Sequence, residues 1–118
     1  MLIIISLIIF VQKSIMKKKY FVYIISNKYR TVYYTGFTND LSRRVLEHES
    51  SAIKGFTKKY NCKDLLYYEV YEDVNQAIAR EKQIKKYSRK KKKALTEKTN
   101  NNFKSLNRSV ISIDNKFL

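Results

Sequence analysis

The strongest constraint on the fold of this chain is an alternation of β-branched and aromatic residues in two neighbouring segments. Residues 20–27 and 31–37 carry the alternation, and the polar residues 27–30 separate the two segments. This pattern predicts a β-hairpin, because side chains two positions apart in a strand lie on the same face. Tyr23 and Tyr34 are therefore expected to meet on one side of the hairpin if the strand register allows it.

Gly36 interrupts the second strand pattern and is one of only two glycines in the chain. A glycine inside a strand usually marks a bulge or the close approach of another backbone or a ligand. We therefore expect that a phosphate can approach there. Thr38 or Asn39 is the expected N-cap of a helix that follows. Helical spacing places Arg44 and His48 along one side of this helix.

Two further segments complete the predicted fold. Residues 64–72 alternate between apolar and partly polar positions, which predicts a third strand with one covered face. Residues 73–87 have apolar residues at close to helical spacing, with Asp73 as the expected N-cap. We therefore predict an α+β fold, in which a small three-stranded antiparallel sheet is flanked by helices.

Glu81 lies close to the apolar stripe of this second helix rather than on its solvated side. A buried carboxylate without a partner is costly, so a metal ion or Arg44 is its natural complement. The alternative is an ordinary ion pair with Lys85 or Lys86, because a lysine four residues after a glutamate commonly stabilises a helix.

The formal net charge of the chain is +15 over 118 residues, so it is expected to seek phosphates. Residues 49–61 predict a loop in which three lysines are interleaved with Phe56 and Tyr60. We expect the loop to guide a nucleic acid strand, with lysines at phosphates and rings at bases or sugars. The alternative is a solvated basic loop whose two rings are anchored in the core. The lysines are Lys54, Lys58 and Lys59.

A second basic segment consists of the five consecutive basic residues 89–93, followed by a short helix-like stretch at 94–97. Its clearest interpretation is contact with the phosphate backbone, which contributes salt-dependent affinity rather than sequence choice. A solvated run of charges is the alternative. The residues expected to make this contact are Arg89, Lys90, Lys91 and Lys92.

The two ends of the chain are expected to lie outside the main domain. Residues 1–16 form an apolar leader that is too short for a membrane span and lacks the basic region that precedes a signal-peptide core. We expect translation to begin at Met16, so that residues 17–98 form the domain and residues 99–118 an irregular tail. The alternative for the leader is a weak membrane-associating segment, although no stable membrane association is expected. The single Cys62 favours a reducing cytoplasm, and nothing in the pattern indicates an oligomeric state.

Four motifs connect these segments in the order and spacing of a known family. They are Phe21-Val22-Tyr23, Tyr34-Thr35-Gly36, the set Thr38, Asp40, Leu41, Arg44 and His48, and the helical Glu81. In these residues the chain resembles the GIY-YIG nuclease superfamily, in particular its small single-domain bacterial members related to the N-terminal incision domain of the excision repair nuclease. The resemblance covers residues 18–106. The first motif lacks its glycine, and Thr35 stands in place of the name-giving isoleucine.

The resemblance implies an endonuclease that hydrolyses phosphodiester bonds, structure-selective or weakly specific, in DNA repair or processing, with DNA favoured over RNA. Glu81 would hold Mg²⁺ or Mn²⁺, and Arg44 would stabilise the charge of the transition state. Tyr23 resembles the candidate general base of the family, and Tyr34 would orient the water or the phosphate. His48 is an alternative base, since histidine titrates near neutrality. The alternative function is a non-catalytic nucleic-acid-binding module that has kept the fold.

Overall fold

The computed structural model describes residues 2–15 and 18–115, and the side chains within 2–8 and 18–111. The strands and helices are short, and the three strands lie between helices along the chain. In chain order they are α1 (Leu2–Ile15), β1 (Tyr20–Ser26), β2 (Tyr33–Thr38), α2 (Leu41–Glu49), α3 (Phe56–Lys59), β3 (Asp64–Tyr71), α4 (Val74–Lys85), α5 (Arg89–Glu97) and α6 (Asn107–Asn115).

The three strands form one antiparallel sheet in the order β2-β1-β3, so β1 is central and β2 is an edge strand. In the β1–β2 register Tyr23 lies opposite Gly36, and Ile25 lies opposite Tyr34. Tyr23 and Tyr34 therefore share a face, as the alternation predicts. The predicted α+β fold, a three-stranded antiparallel sheet flanked by helices, is confirmed.

Each face of the sheet has its own apolar core. Val22 and Ile24 pack on one face with Ala77 and Ile84 of α4. Tyr23 and Ile25 point to the other face, where the packed side chains include Leu41 and Val45 of α2 and Val110 of α6. The alternation of β1 thus provides both cores, and it places α2 and α4 on opposite sides of the sheet.

A polar network fixes α4 on its face of the sheet. The guanidinium of Arg80 donates from Nε and Nη2 to the two carboxylate oxygens of Glu69, at 2.9 Å each. The hydroxyl groups of Tyr67 and Tyr71 also donate to this carboxylate. Burial alone would raise the pKa of Glu69, but these hydrogen bonds hold it below its ordinary value. The network constrains the rotation of α4, and it thereby constrains the direction of the next residue along the chain, Glu81.

Helix α2 begins one or two residues later than predicted. Asp40, rather than Thr38 or Asn39, is the N-cap, and its side chain accepts a hydrogen bond from the backbone N–H of Arg43 at 3.1 Å. The hydroxyl of Thr38 instead accepts from the backbone N–H of Asp40 at 3.1 Å. The expected loop at residues 49–61 likewise contains the one-turn helix α3.

The C-terminal part of the chain is more regular than predicted. The basic run lies inside α5, which begins after the N-cap Ser88. The expected irregular tail contains α6, and its first residue, Asn107, is buried. The Asn107 side chain accepts from the backbone N–H of Leu65 and donates to the carbonyl of Lys63 and the carboxylate of Glu49, each at 2.8 Å. These contacts to distant residues order a segment that has no strong local pattern.

Helix α1 contains most of the apolar leader. Its side chains at residues 2–8 are exposed. Within residues 2–15 and 18–115, no helix is both long and apolar enough to cross a membrane. Met16, the expected start of translation, lies outside the described residues. The leader and the division of the chain into three parts stay predictions.

Candidate active site

A pocket of about 340 Å³ opens at the edge of the sheet, between β2, α2 and α4. Its walls include the apolar side chains of Phe37, Ile53 and Ile78. All five predicted catalytic side chains and the predicted structural glycine also line it. The fold therefore brings together residues that are up to 58 positions apart in sequence. The five side chains and the glycine are Tyr23, Tyr34, Gly36, Arg44, His48 and Glu81.

Tyr23 and His48 form a buried hydrogen-bonded pair, with 3.0 Å between Oη and Nε2. Burial raises the pKa of Tyr23 above its ordinary value of 10.0. Burial, reinforced by the positive charge of Arg44, lowers the pKa of His48 to about 4. At neutral pH the phenol is therefore protonated and the imidazole is neutral, so Tyr23 donates to Nε2. This assignment puts the ring proton on Nδ1, which has no hydrogen-bond partner among the described residues.

Gly36 makes room for the ring of Tyr23. A Cβ atom at Gly36 would overlap Cζ and Oη of Tyr23, which lies directly opposite in the strand register. The sequence pattern indicated a close approach at this position, and we expected a phosphate there. In the structure the approaching group is the tyrosine ring. The absence of a side chain at Gly36 allows the Tyr23 hydroxyl to reach His48.

Arg44 and Glu81 bring opposite charges to the pocket from the two sides of the sheet. Arg44 lies one helical turn before His48 on α2, and its Nη1 is 3.4 Å from the carboxylate of Glu47. Its buried Nε has no hydrogen-bond partner among the described side chains and backbone. Glu81, on α4, is only 13% exposed and forms an ion pair with Lys85 at 2.8 Å. Glu81 therefore forms the ion pair with Lys85 and also lines the pocket, although these two arrangements were expected as alternatives.

The donor groups in the pocket fit a hydrated divalent cation rather than a fully protein-bound one. Glu81 is the only carboxylate among the described residues that line the pocket. In the described part of the chain, no group of three or more histidine, cysteine or acidic residues is arranged to hold a metal ion. Mg²⁺ commonly keeps several waters and binds through one or two carboxylates together with substrate phosphates. Glu81 therefore suits this type of ion.

An aromatic stack leads out of the pocket. The ring of Tyr34 stacks on Phe56 of α3 with 5.8 Å between centroids, and Phe56 contacts Tyr60 at 4.6 Å. Phe56 and Tyr60 are 47% and 41% exposed, so the alternative in which both rings are anchored in the core is wrong. The stacking of Tyr34 on Phe56 was not predicted, because no local pattern relates residues 22 positions apart. The lysines that accompany these rings, Lys54, Lys58 and Lys59, are exposed.

The basic run lies outside this pocket. Arg89 donates from Nη1 to the carbonyl of Thr31 at 3.0 Å, and Lys92 donates from Nζ to the carbonyl of Tyr33 at 3.4 Å. The ammonium of Lys91 lies 4.1 Å from the centroid of the Tyr87 ring. The run therefore covers the start of β2, and none of its residues is among those that line the candidate site.

Lys85 is a pocket residue that sequence reasoning considered only as a structural partner of Glu81. It lines the pocket beside Glu81, and its side chain is 56% exposed. The four-residue spacing of the two side chains is the local signal for their contact. That spacing alone does not indicate that the lysine also faces the candidate site.

Comparison with known proteins identifies relatives of the chain. The sequence model of the GIY-YIG catalytic domain matches residues 19–94. The UPF0213 protein of Haloquadratum walsbyi is 34% identical over 82 residues, which are 70% of this chain and 91% of that protein. A UPF0213 protein of Staphylococcus aureus is 37% identical over 73 residues, which are 62% of this chain and 88% of that protein. The solution NMR structure of the UPF0213 protein of Bacillus halodurans has 26% sequence identity and a TM-score of 0.48, covering 76% of this chain and 95% of that one.

Proposed function

Because this chain belongs to the GIY-YIG nuclease superfamily, we propose that it is a divalent-metal-dependent endonuclease that hydrolyses phosphodiester bonds in DNA. The single observation that carries the proposal is the buried Tyr23–His48 hydrogen bond in one pocket with Arg44 and Glu81. A proton acceptor, a fixed cation and a carboxylate are the groups that phosphodiester hydrolysis requires.

The Tyr23–His48 pair provides a path for the proton of the attacking water. The water transfers a proton to Oη of Tyr23 while the phenol transfers its own proton to Nε2 of His48. A buried free phenolate is unfavourable, since burial raises the pKa of Tyr23, and this coupled transfer avoids it. The imidazolium that the transfer forms is also disfavoured, by burial and by Arg44, so it gives up its proton readily. Both candidate bases from the sequence analysis then take part in one step. The transferred proton can return to the leaving oxygen from the imidazolium or from solvent.

Arg44 and Glu81 act on the phosphate. The Nε of Arg44 has no hydrogen-bond partner among the described residues, so it is available to a phosphate oxygen. A guanidinium suits phosphate oxygens by its planar fork of donors. Glu81 would hold a hydrated Mg²⁺ or Mn²⁺, and such an ion, when bound, stabilises the negative charge that builds on the phosphoryl and leaving oxygens. Lys85 competes for the same carboxylate, but its exposed side chain is free to rotate towards solvent.

The aromatic stack favours a substrate with unpaired nucleotides next to the cleaved bond. Phe56 and Tyr60 present exposed ring surface, and stacking on a ring requires a base that is free of its own helix. The lysines at 54, 58 and 59 would hold the phosphates between these bases. We therefore propose a structure-selective or weakly specific activity in DNA repair or processing. The cytoplasm is the proposed compartment, in keeping with the single buried Cys62.

The Glu81–Lys85 ion pair favours the second candidate function, a non-catalytic nucleic-acid-binding module, because a satisfied carboxylate has less need of a metal ion. Cleavage assays separate the two functions. Labelled single-stranded, duplex, flap and branched DNAs and matching RNAs are incubated with Mg²⁺ or Mn²⁺. Glu81→Gln and Tyr23→Phe should abolish cutting and leave binding intact.

Exposed residues of the same types provide matched controls for this assay. Glu97→Gln and Tyr29→Phe, both outside the pocket, should leave cutting unchanged. Tight binding without cutting on any substrate would favour the binding module. Cutting that is indifferent to Glu81 would contradict the proposed site.

A further inference from the structure

A second pocket, of about 370 Å³, lies beside the start of β2, and its Tyr33 belongs to the buried cluster on the α4 side of the sheet. The hairpin turn and the first turns of α5 form its walls, and four of its six lining residues are basic. No acidic residue is among those that line it in the described part of the chain. The lining residues are Arg30, Thr31, Tyr33, Arg89, Lys90 and Lys93.

The hydroxyl of Tyr33 is an unusual group within this pocket. Tyr33 is only 7% exposed, and its buried hydroxyl has no hydrogen-bond partner among the described residues. A buried polar group without a partner costs free energy, so native proteins rarely retain one without a reason. Burial raises the pKa of Tyr33, so the hydroxyl stays protonated and can donate to an acceptor.

The surrounding backbone and side chains are arranged to favour an anion. Helix α5 has nine residues, and its N-terminus, capped by Ser88, lies at this pocket. Arg89 holds α5 against the hairpin through the carbonyl of Thr31 at 3.0 Å. Arg30 pairs with Asp64 at 2.7 Å, so its charge is partly offset. Lys90 and Lys93 are exposed and form no ion pair with a described residue, and the ammonium of Lys93 lies 5.7 Å from the centroid of the Phe103 ring.

We propose that this pocket binds a phosphate group of the nucleic acid strand, away from the bond that is cleaved. The phosphate accepts from the Tyr33 hydroxyl and is flanked by Lys90 and Lys93, whose long side chains rearrange to admit it. The proposal rests on the proposed function in that the phosphate belongs to the nucleic acid substrate. The proposal also assigns different roles within the basic run. Lys90 and Lys93 line the pocket, whereas Lys91 lies over the Tyr87 ring and Lys92 donates to the Tyr33 carbonyl.

The test measures oligonucleotide binding by fluorescence anisotropy without divalent metal, so that it does not depend on cleavage. The variant Lys90→Ala/Lys93→Ala should weaken binding about tenfold and lower the slope of log K against log salt by about one. Lys91→Ala/Lys98→Ala removes the same charge from α5 and its C-cap residue, outside the pocket, and should weaken binding by less than about threefold. Equal losses of oligonucleotide affinity in the two double variants would overturn the proposal.

Tyr33→Phe is the sharper variant, because it removes only the hydroxyl. It should weaken oligonucleotide binding about threefold to tenfold, as expected for a hydrogen bond to a charged acceptor. Its thermal stability should be equal to that of the wild type or higher, since the lost group has no partner in the described structure. Unchanged binding would overturn the proposal. A clear loss of stability would also overturn it, because the hydroxyl would then have a structural role.

A final experiment distinguishes binding of a phosphate in the nucleic acid strand from binding of free phosphate. Inorganic phosphate is titrated into the protein at constant ionic strength while NMR signals of the pocket residues are followed. The proposal is supported if inorganic phosphate binds weakly and the variants above also lose affinity for the oligonucleotide. If inorganic phosphate binds but the variants keep their affinity for the oligonucleotide, the pocket is a site for free phosphate and the proposal is overturned. Absence of cleavage on every substrate would refute the nuclease proposal while leaving these binding measurements interpretable.

Discussion

The substitution Gly36→Ala tests the packing on which the candidate active site depends. In an unconstrained strand, alanine is more favourable than glycine by about 0.5–1 kcal/mol, because glycine loses more conformational freedom on folding. The backbone of Gly36 is not in the left-handed region, so alanine meets no conformational barrier there. The obstacle is the ring of Tyr23, which a Cβ atom would overlap. We therefore expect a loss of stability in place of the ordinary gain.

The size of this loss of stability follows from two effects, the overpacking at Gly36 and the loss of a hydrogen bond. Overpacking of a well-filled site costs about 1–3 kcal/mol. Displacing the ring breaks the 3.0 Å hydrogen bond between Tyr23 and His48. That leaves a buried acceptor without a donor, which costs about 1–3 kcal/mol. After the intrinsic gain of alanine is subtracted, the expected net loss in the free energy of unfolding is about 1–5 kcal/mol.

A double-mutant cycle isolates the cause of this loss. Urea denaturation is followed by circular dichroism for the wild type, Gly36→Ala, Tyr23→Leu and the double variant. Tyr23→Leu removes the ring and the hydroxyl, so Gly36→Ala should cost at least about 1 kcal/mol less in that background. The reasoning is refuted if Gly36→Ala costs the same in both backgrounds, or if it stabilises the wild-type protein.

Three further predictions concern ionisable groups. His48, the only histidine, should titrate by NMR near the expected value of about 4. Because its folded pKa is lowered, stability should fall as the pH drops from about 6.5 to 4, by up to about 3 kcal/mol, and His48→Gln should remove this dependence. Arg80→Met should cost about 3 kcal/mol in urea denaturation, since it leaves the carboxylate of Glu69 without its guanidinium. Lys85→Met should raise Mn²⁺ affinity about threefold to tenfold, measured by paramagnetic broadening, because the ammonium no longer competes for Glu81.

Each of these predictions has a control. A His48 pKa at or above 6.5 would contradict the buried Tyr23–His48 pair. The double variant Glu69→Leu/Arg80→Met should lose less stability than Arg80→Met alone, because no unpaired charge remains. Lys82→Met removes an exposed charge from the same helix. An equal gain in Mn²⁺ affinity from this variant would point to general electrostatics instead of competition.

Local sequence periodicity was sufficient to predict the sheet and the two helices that flank the site. The alternation in β1 and β2 placed Tyr23 and Tyr34 on one face, and the four-residue spacing placed Arg44 and His48 on one side of α2. Such patterns are informative because strand and helix geometry fix which neighbouring side chains share a face. Convergence of these residues with Glu81 followed from the resemblance to a family, since no local rule relates α2 to α4.

Contacts between residues distant in sequence were beyond such reasoning. The segment after residue 98 has little periodic pattern, yet Asn107 orders α6 through hydrogen bonds to residues more than 40 positions away. The stacking of Tyr34 on Phe56 also joins a strand to a segment expected to be a loop. Helix formation in short segments depends on such tertiary packing, because propensity alone rarely stabilises nine residues.

The sequence by itself determined that Gly36 marks a close approach, and it predicted that the basic run contacts a polyanion. Only the tertiary structure decided what approaches Gly36 and which basic side chains surround a pocket. The approaching group is the ring of Tyr23, and the pocket is lined by Tyr33, whose hydroxyl has no hydrogen-bond partner within the described part of the chain. The reason is that composition and spacing specify the type of group at a position. Which groups meet depends on the register of the strands and on the helices packed across them.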